Sequence, residues 1–70
     1  MKTKYRFIHF LQSSKGPWAC HNNKSGGLLG VVHFYQPWKQ YVWQQAGPEG
    51  VFRADCLTDI AHFMGQLPKP

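Results

Sequence analysis

Apolar and polar residues alternate along the first two thirds of this chain, and helical spacing of apolar residues sets in only after residue 54. Residues 4–12, Lys-Tyr-Arg-Phe-Ile-His-Phe-Leu-Gln, are rich in aromatic and β-branched types and predict a first strand. The breaker cluster Ser13, Ser14, Lys15, Gly16 and Pro17 ends it. Residues 18–22 predict a short second strand, and Asn23, Lys24, Ser25, Gly26 and Gly27 supply the positive-φ residues that a hairpin loop of this length needs. A third strand follows at 28–35. Pro37 fixes φ and cannot donate to a ladder, so residues 36–39 should bend into a fourth strand at 40–45, which Ala46, Gly47, Pro48, Glu49 and Gly50 terminate.

After a short extended lead-in at 51–53, Asp55 is placed to cap the orphan amides of a helix, and with Asp59 it matches the positive end of the helix dipole. Leu57, Ile60, Met64 and Leu67 form one row flanked by Cys56 and Phe63, while Asp55, Asp59, His62 and Gln66 fall largely on the other side. The helix is expected to run to about Leu67, where Pro68 forbids continuation; Gly65 weakens its last turn by about 1 kcal/mol relative to alanine. These elements predict an α+β fold, an antiparallel three- to four-stranded meander sheet with one C-terminal helix packed on one face, in a single small domain over residues 1–70.

One helix shields one face of such a sheet, so the other face needs a different occupant. Period-two alternation sets Gly30, Val32 and Phe34 against Val31, His33 and Tyr35, and separates Val42 from Tyr41 and Trp43. The expected open face carries His33, Tyr35, Tyr41 and Trp43, with Trp38, Lys39 and Arg6 close to it.

Composition narrows the class of protein. The chain is 43% hydrophobic and 16% aromatic, which supplies enough apolar surface to offset ordering entropy and argues against a disordered chain. At 70 residues the apolar burial and the entropy cost nearly cancel, so the monomer is expected to be marginal and a dimer would relieve it. The net charge is +5, and all three acids, Glu49, Asp55 and Asp59, lie in the last third. Lys2, Lys4, Arg6, Lys15, Lys24 and Lys39 therefore spread a diffuse basic field able to attract phosphate or an acidic protein surface. Two cysteines are too few for a disulfide framework, no apolar run approaches the ~20 residues of a membrane span, and the start of the chain alternates instead of forming a signal-peptide block. A cytoplasmic location with free thiols and no membrane partner is expected.

The chemistry-bearing residues are sparse. His9, Cys20, His21, His33, Cys56 and His62 are zinc-compatible types, but Cys20 and His21 are adjacent on a strand and Cys56 and His62 are six apart on a helix, unlike the close pairs of structural zinc sites. No metal and no cofactor are expected, and Cys56 reads as a small buried hydrophobe. A Cys–His nucleophile has no elbow, phosphate loop or paired carboxylates around it, so the chain is not expected to be an enzyme. The glycines at 26, 27 and 30 precede no helix start and belong to a hairpin. What remains is the aromatic sheet face. Tyr35, Trp38, Tyr41 and Trp43, with His33, Lys39 and Arg6, point to contact with another protein or with a second copy. A second reading of the same residues is sequence-tolerant binding of single-stranded nucleic acid, with bases on aromatic rings and phosphates on Lys39, Arg6 and Lys4; the RNA-recognition signature is absent.

Leu29-Gly30, the run Phe34-Tyr35-Gln36-Pro37-Trp38-Lys39-Gln40-Tyr41-Val42-Trp43, and Cys56-Leu57-Thr58-Asp59-Ile60-Ala61-His62-Phe63 give the stretch from residue 26 to residue 67 a recognisable outline. It resembles a family of short uncharacterised bacterial and phage proteins. The resemblance implies a stand-alone accessory protein of a bacterium or mobile element and brings no catalytic or binding residue with it.

Overall fold

Every breaker cluster before residue 46 becomes a turn between antiparallel neighbours. The computed structural model describes residues 1–48 and 51–68, so the parts of the 46–50 breaker at Glu49 and Gly50 lie outside the described residues. Strands β1 (Ile8–Gln12), β2 (Trp18–Asn22), β3 (Leu28–Tyr35) and β4 (Gln40–Gln45) form one sheet in the order β1-β2-β3-β4, and helix α1 (Ala54–Gly65) follows. The fold is the α+β meander with a C-terminal helix.

Alternation fixes which side chains meet the helix. Phe10 pairs with Cys20 and Cys20 with Gly30, while Trp18 pairs with Val32 and Val32 with Trp43, so these rows share one face. On that face Ile8, Phe10, Cys20 and Val32 are buried against Ile60 and Phe63 of α1. The Phe10 and Phe63 rings stack at 3.9 Å between centroids, and Trp18 meets Phe63 edge-on at 5.1 Å.

The predicted first strand at 4–12 is too long: β1 begins only at Ile8, and the preceding residues double back along its outer edge. Lys4 bridges His9, the Thr3 carbonyl accepts the Phe10 amide at 2.8 Å, and the Tyr5 amide donates to the Ile8 carbonyl at 2.8 Å. Asn23 fastens the bend, its side-chain amide donating to the carbonyls of Tyr5 (2.8 Å) and Arg6 (3.1 Å). Burial drives it: Tyr5 packs edge-on to Phe10 at 5.9 Å and places its hydroxyl 2.9 Å from His62 Nδ1. No glycine or proline marks this bend, so alternation alone conceals it.

The helix differs from expectation in three places. Arg53, not Asp55, is the N-cap residue and makes no side-chain capping bond; Asp55 sits in the first turn, where its carboxylate accepts the Cys56 amide at 3.0 Å. The helix stops at Gly65 instead of about Leu67, and Gln66 turns its side chain back to the Lys2 backbone, accepting from the amide and donating to the carbonyl, both at 2.8 Å. Leu57 is 51% exposed. The buried stripe centres between Ile60 and Phe63, and at 3.6 residues per turn Leu57 lies about 90° from that centre.

Candidate interaction face

The face away from the helix carries Leu11, Ala19, Val31, His33, Tyr35 and Val42, none of them buried. Its outer corner is the β3–β4 turn. Trp38 donates its amide to the Tyr35 carbonyl at 3.2 Å, and Lys39 to the Gln36 carbonyl at 3.1 Å, with Pro37 supplying its fixed φ between them. Lys39 takes φ 52°, the left-handed region that favours glycine. This turn presents Trp38 at 67% exposure, held edge-on to Tyr35 with ring centroids 5.1 Å apart. A shallow depression of about 280 Å³ lies beside the pair, lined by His33, Tyr35, Trp38, Val42, Trp43 and Gln44. His33 Nε2 is 3.1 Å from the Gln44 side-chain oxygen, a bond that steadies the ring on the sheet.

Tyr41 and Trp43 are not on this face, contrary to expectation. The four-residue turn pairs Tyr35 with Gln40, which puts Tyr41 opposite Phe34 and Trp43 opposite Val32, on the helix side. Trp43 lies over Gly30 and meets Phe52 edge-on at 5.7 Å; Tyr41 meets Phe34 edge-on at 5.4 Å and donates its hydroxyl to the Pro68 carbonyl at 2.8 Å. Register is set by the turn, and a turn longer or shorter by one residue would have reversed the assignment. Arg6 is also elsewhere. Its guanidinium lies 5.0 Å from the Phe7 ring, which Arg53 also approaches, at 5.6 Å, and this site is just ahead of β1 at the opposite edge of the sheet from β4. The structure therefore brings His33, Tyr35 and Trp38 together around one depression, adds Val42 and Gln44, and keeps Lys39 in the adjoining turn. It leaves Trp43 at the lining although its strand position faces the helix side, and puts Tyr41 on the helix side and Arg6 at the opposite edge of the sheet.

A histidine pair at the far end of the open face escaped sequence reasoning. His9 and His21 are opposite each other in the β1–β2 ladder with rings stacked at 5.6 Å. The Asn23 amide nitrogen is committed to two carbonyls, so its oxygen accepts from His9 Nδ1 at 2.7 Å; His21 Nδ1 donates to the Gly26 carbonyl at 3.1 Å. Each ring thus holds a proton on Nδ1. Their twelve-residue separation gave no signal until the strand register was known. Among the described residues no three histidine, cysteine or acidic side chains converge on a point that could hold a metal.

The cysteines differ sharply. Cys20 is fully buried in the core, and burial, aided by the nearby Cys56, pushes its thiol up to about 12. A thiol so raised is protonated and inert at neutral pH. Cys56 is only partly buried and not the buried hydrophobe expected, so native protein treated with a thiol reagent at pH 8 is expected to modify Cys56 and to modify Cys20 only after unfolding, read as one modified thiol per folded chain and two in denaturant. Equal rates at both would contradict the burial of Cys20. The Tyr5 hydroxyl is raised by burial and by the Asp59 charge, against a lowering hydrogen bond from Gln66.

Compared with family models, curated proteins and solved structures, the chain matches none.

Among the described residues no helix is long and apolar enough to cross a membrane.

Proposed function

We propose that this chain acts by binding and not by catalysis, as a small accessory protein of a bacterium or phage working in the cytoplasm. Its uncovered sheet face meets another protein or a second copy of itself, with Tyr35 and Trp38 as anchors and Val42, His33 and Lys39 around them. The observation that carries this reading is Trp38, a large aromatic side chain left 67% exposed yet held in a fixed edge-on pose by Tyr35. Tryptophan and tyrosine dominate the energetics of protein contacts because they bury much area at little entropy cost. Lys39 adds a second indication. It keeps a side chain at a left-handed position where an L-residue costs about 1–2 kcal/mol more than glycine.

The nucleic-acid alternative loses part of its support, since Arg6 lies across the sheet from the aromatic pair and leaves Lys39 as the cation next to it in sequence. Sedimentation at micromolar concentration, and capture from lysate where the chain is monomeric, tests the reading. Trp38→Ala is expected to weaken a complex made through the open face by about 30-fold, the effect of losing about 2 kcal/mol at an anchor, with the melting temperature of the free protein unchanged. Unaltered affinity in Trp38→Ala would sink the proposal. Binding to single-stranded oligonucleotides that falls steeply with rising salt would replace it by the nucleic-acid reading.

A further inference from the structure

The two outer edges of the sheet are finished differently. The β1 edge is closed by the chain's own N-terminal segment, with Thr3, Lys4 and Tyr5 paired along Ile8, His9 and Phe10. Among the described residues the β4 edge has no such cover. Ala46 donates its amide to the Leu29 carbonyl at 3.0 Å, which sets the phase of the antiparallel ladder. Gln40, Val42 and Gln44 consequently turn their backbone groups toward β3, and Tyr41, Trp43 and Gln45 turn theirs away from it. Among the described residues no other backbone group pairs with these three.

Exposed edges are ordinarily blocked by a charge, a proline, a bulge or short length. Strand β4 has none of these: it reads Gln-Tyr-Val-Trp-Gln-Gln, and its six residues pair with β3 one for one without interruption. Alternating outward amides and carbonyls at strand spacing are complementary to another extended backbone. We propose that β4 pairs antiparallel with β4 of a second copy about a two-fold axis through Trp43, joining two sheets into one of eight strands.

Self-pairing is favoured by the strand itself. Centring the axis on Trp43 lets all three outward residues pair, Trp43 with Trp43 of the partner subunit and Tyr41 with Gln45 of the partner subunit, which an axis one residue away does not. No charge lies within β4, and Lys39 falls opposite Gly47 of the partner subunit, far from the other copy's lysine, so the basic chains meet without like charges at the seam. The junction also sets the two Val42 depressions side by side on one continuous open face, an isologous arrangement that enlarges the thin apolar layer of a small domain. This inference rests on the binding reading above only in taking the chain to associate: it places a self-contact at the β4 edge, beside the open face, and an edge-paired dimer is expected to survive Trp38→Ala.

Residue-resolved amide exchange, measured on samples that sedimentation shows to be dilute monomer and concentrated dimer, tests the pairing. The amides of Tyr41, Trp43 and Gln45 are expected to slow at least tenfold in the dimer, while those of Val42 and Gln44 are already slow in the monomer. Gln45→Pro removes one outward donor at an exposed edge position that tolerates proline, and it is expected to weaken the dimer at least tenfold with the monomer's melting temperature retained. A dimer whose outward amides exchange freely, and which Trp38→Ala dissociates, overturns edge pairing and leaves the open-face reading standing. A strict monomer at millimolar concentration overturns edge pairing outright, and a foreign partner lost on Trp38→Ala would still uphold the open face.

Discussion

Phe63→Ala is expected to remove at least about a third of the chain's stability and to lower its urea midpoint in proportion. Phe63 is fully buried, lies flat on Phe10 at 3.9 Å and receives the edge of Trp18 at 5.1 Å, so it joins α1 to both β1 and β2. Truncating a buried phenylalanine costs about 3–5 kcal/mol, the transfer term plus the cavity left behind. A 70-residue domain at roughly 0.05–0.15 kcal/mol per residue holds only about 3.5–10 kcal/mol in all. The loss therefore consumes a third of the total at best and all of it at worst. Urea unfolding followed by circular dichroism reads the outcome, with Phe63→Leu, which keeps most of the volume, as the folded companion. A Phe63→Ala chain with a wild-type urea midpoint would mean that α1 is not seated on the sheet through this ring.

The order of elements was legible because turns and periodicity are local properties. Residues 13–17, 23–27 and 36–39 break the chain for reasons internal to each cluster, and 18–22, 28–35 and 40–45 became strands with the expected bounds. What sequence could not supply was anything that depends on two segments meeting. The N-terminal hook exists because Tyr5 finds Phe10 and His62, and because Asn23, seventeen or more residues away, ties down the bend. The side of the sheet taken by Tyr41 and Trp43 was within reach of the sequence, because the expected four-residue turn at 36–39 already pairs Tyr35 with Gln40 and so sends both to the Phe34 and Val32 side; their assignment to the open face did not carry the register across the turn. The His9–His21 stack and the outward phase of β4 depend instead on which residues pair across strands. Half of the expected platform survives for a related reason: Tyr35 and Trp38 are bound to the local geometry of the turn, whereas Arg6 could join them only if the sheet had another strand order.

Gly30→Ala is expected to destabilise the fold by about 1–3 kcal/mol, a large effect for one methyl group. The position is not a left-handed one, so backbone strain is not the cause. Gly30 is buried beneath the Trp43 indole, and a Cβ there would lie 2.5 Å from Trp43 Cη2 and 2.8 Å from the Gln44 carbonyl oxygen. Neither neighbour is the free end of a flexible side chain: the indole is pinned edge-on by Phe52, and the carbonyl belongs to the ladder. Against the clash stands a gain of about 0.4–1 kcal/mol from stiffening the unfolded chain, which glycine-to-alanine changes share. Gly47→Ala isolates that gain, because nothing lies within 4 Å of the Cβ it would add. Thermal unfolding should therefore move in opposite directions for the two variants, with Gly30→Ala lower by roughly 4–8 °C per kcal/mol lost. Repeating Gly30→Ala in a Trp43→Leu background should shrink its cost, since the coupling is between the new methyl and the ring. If Gly30→Ala melts with the wild type, the indole does not rest on Gly30, and Trp43 returns to the list of side chains free to meet a partner.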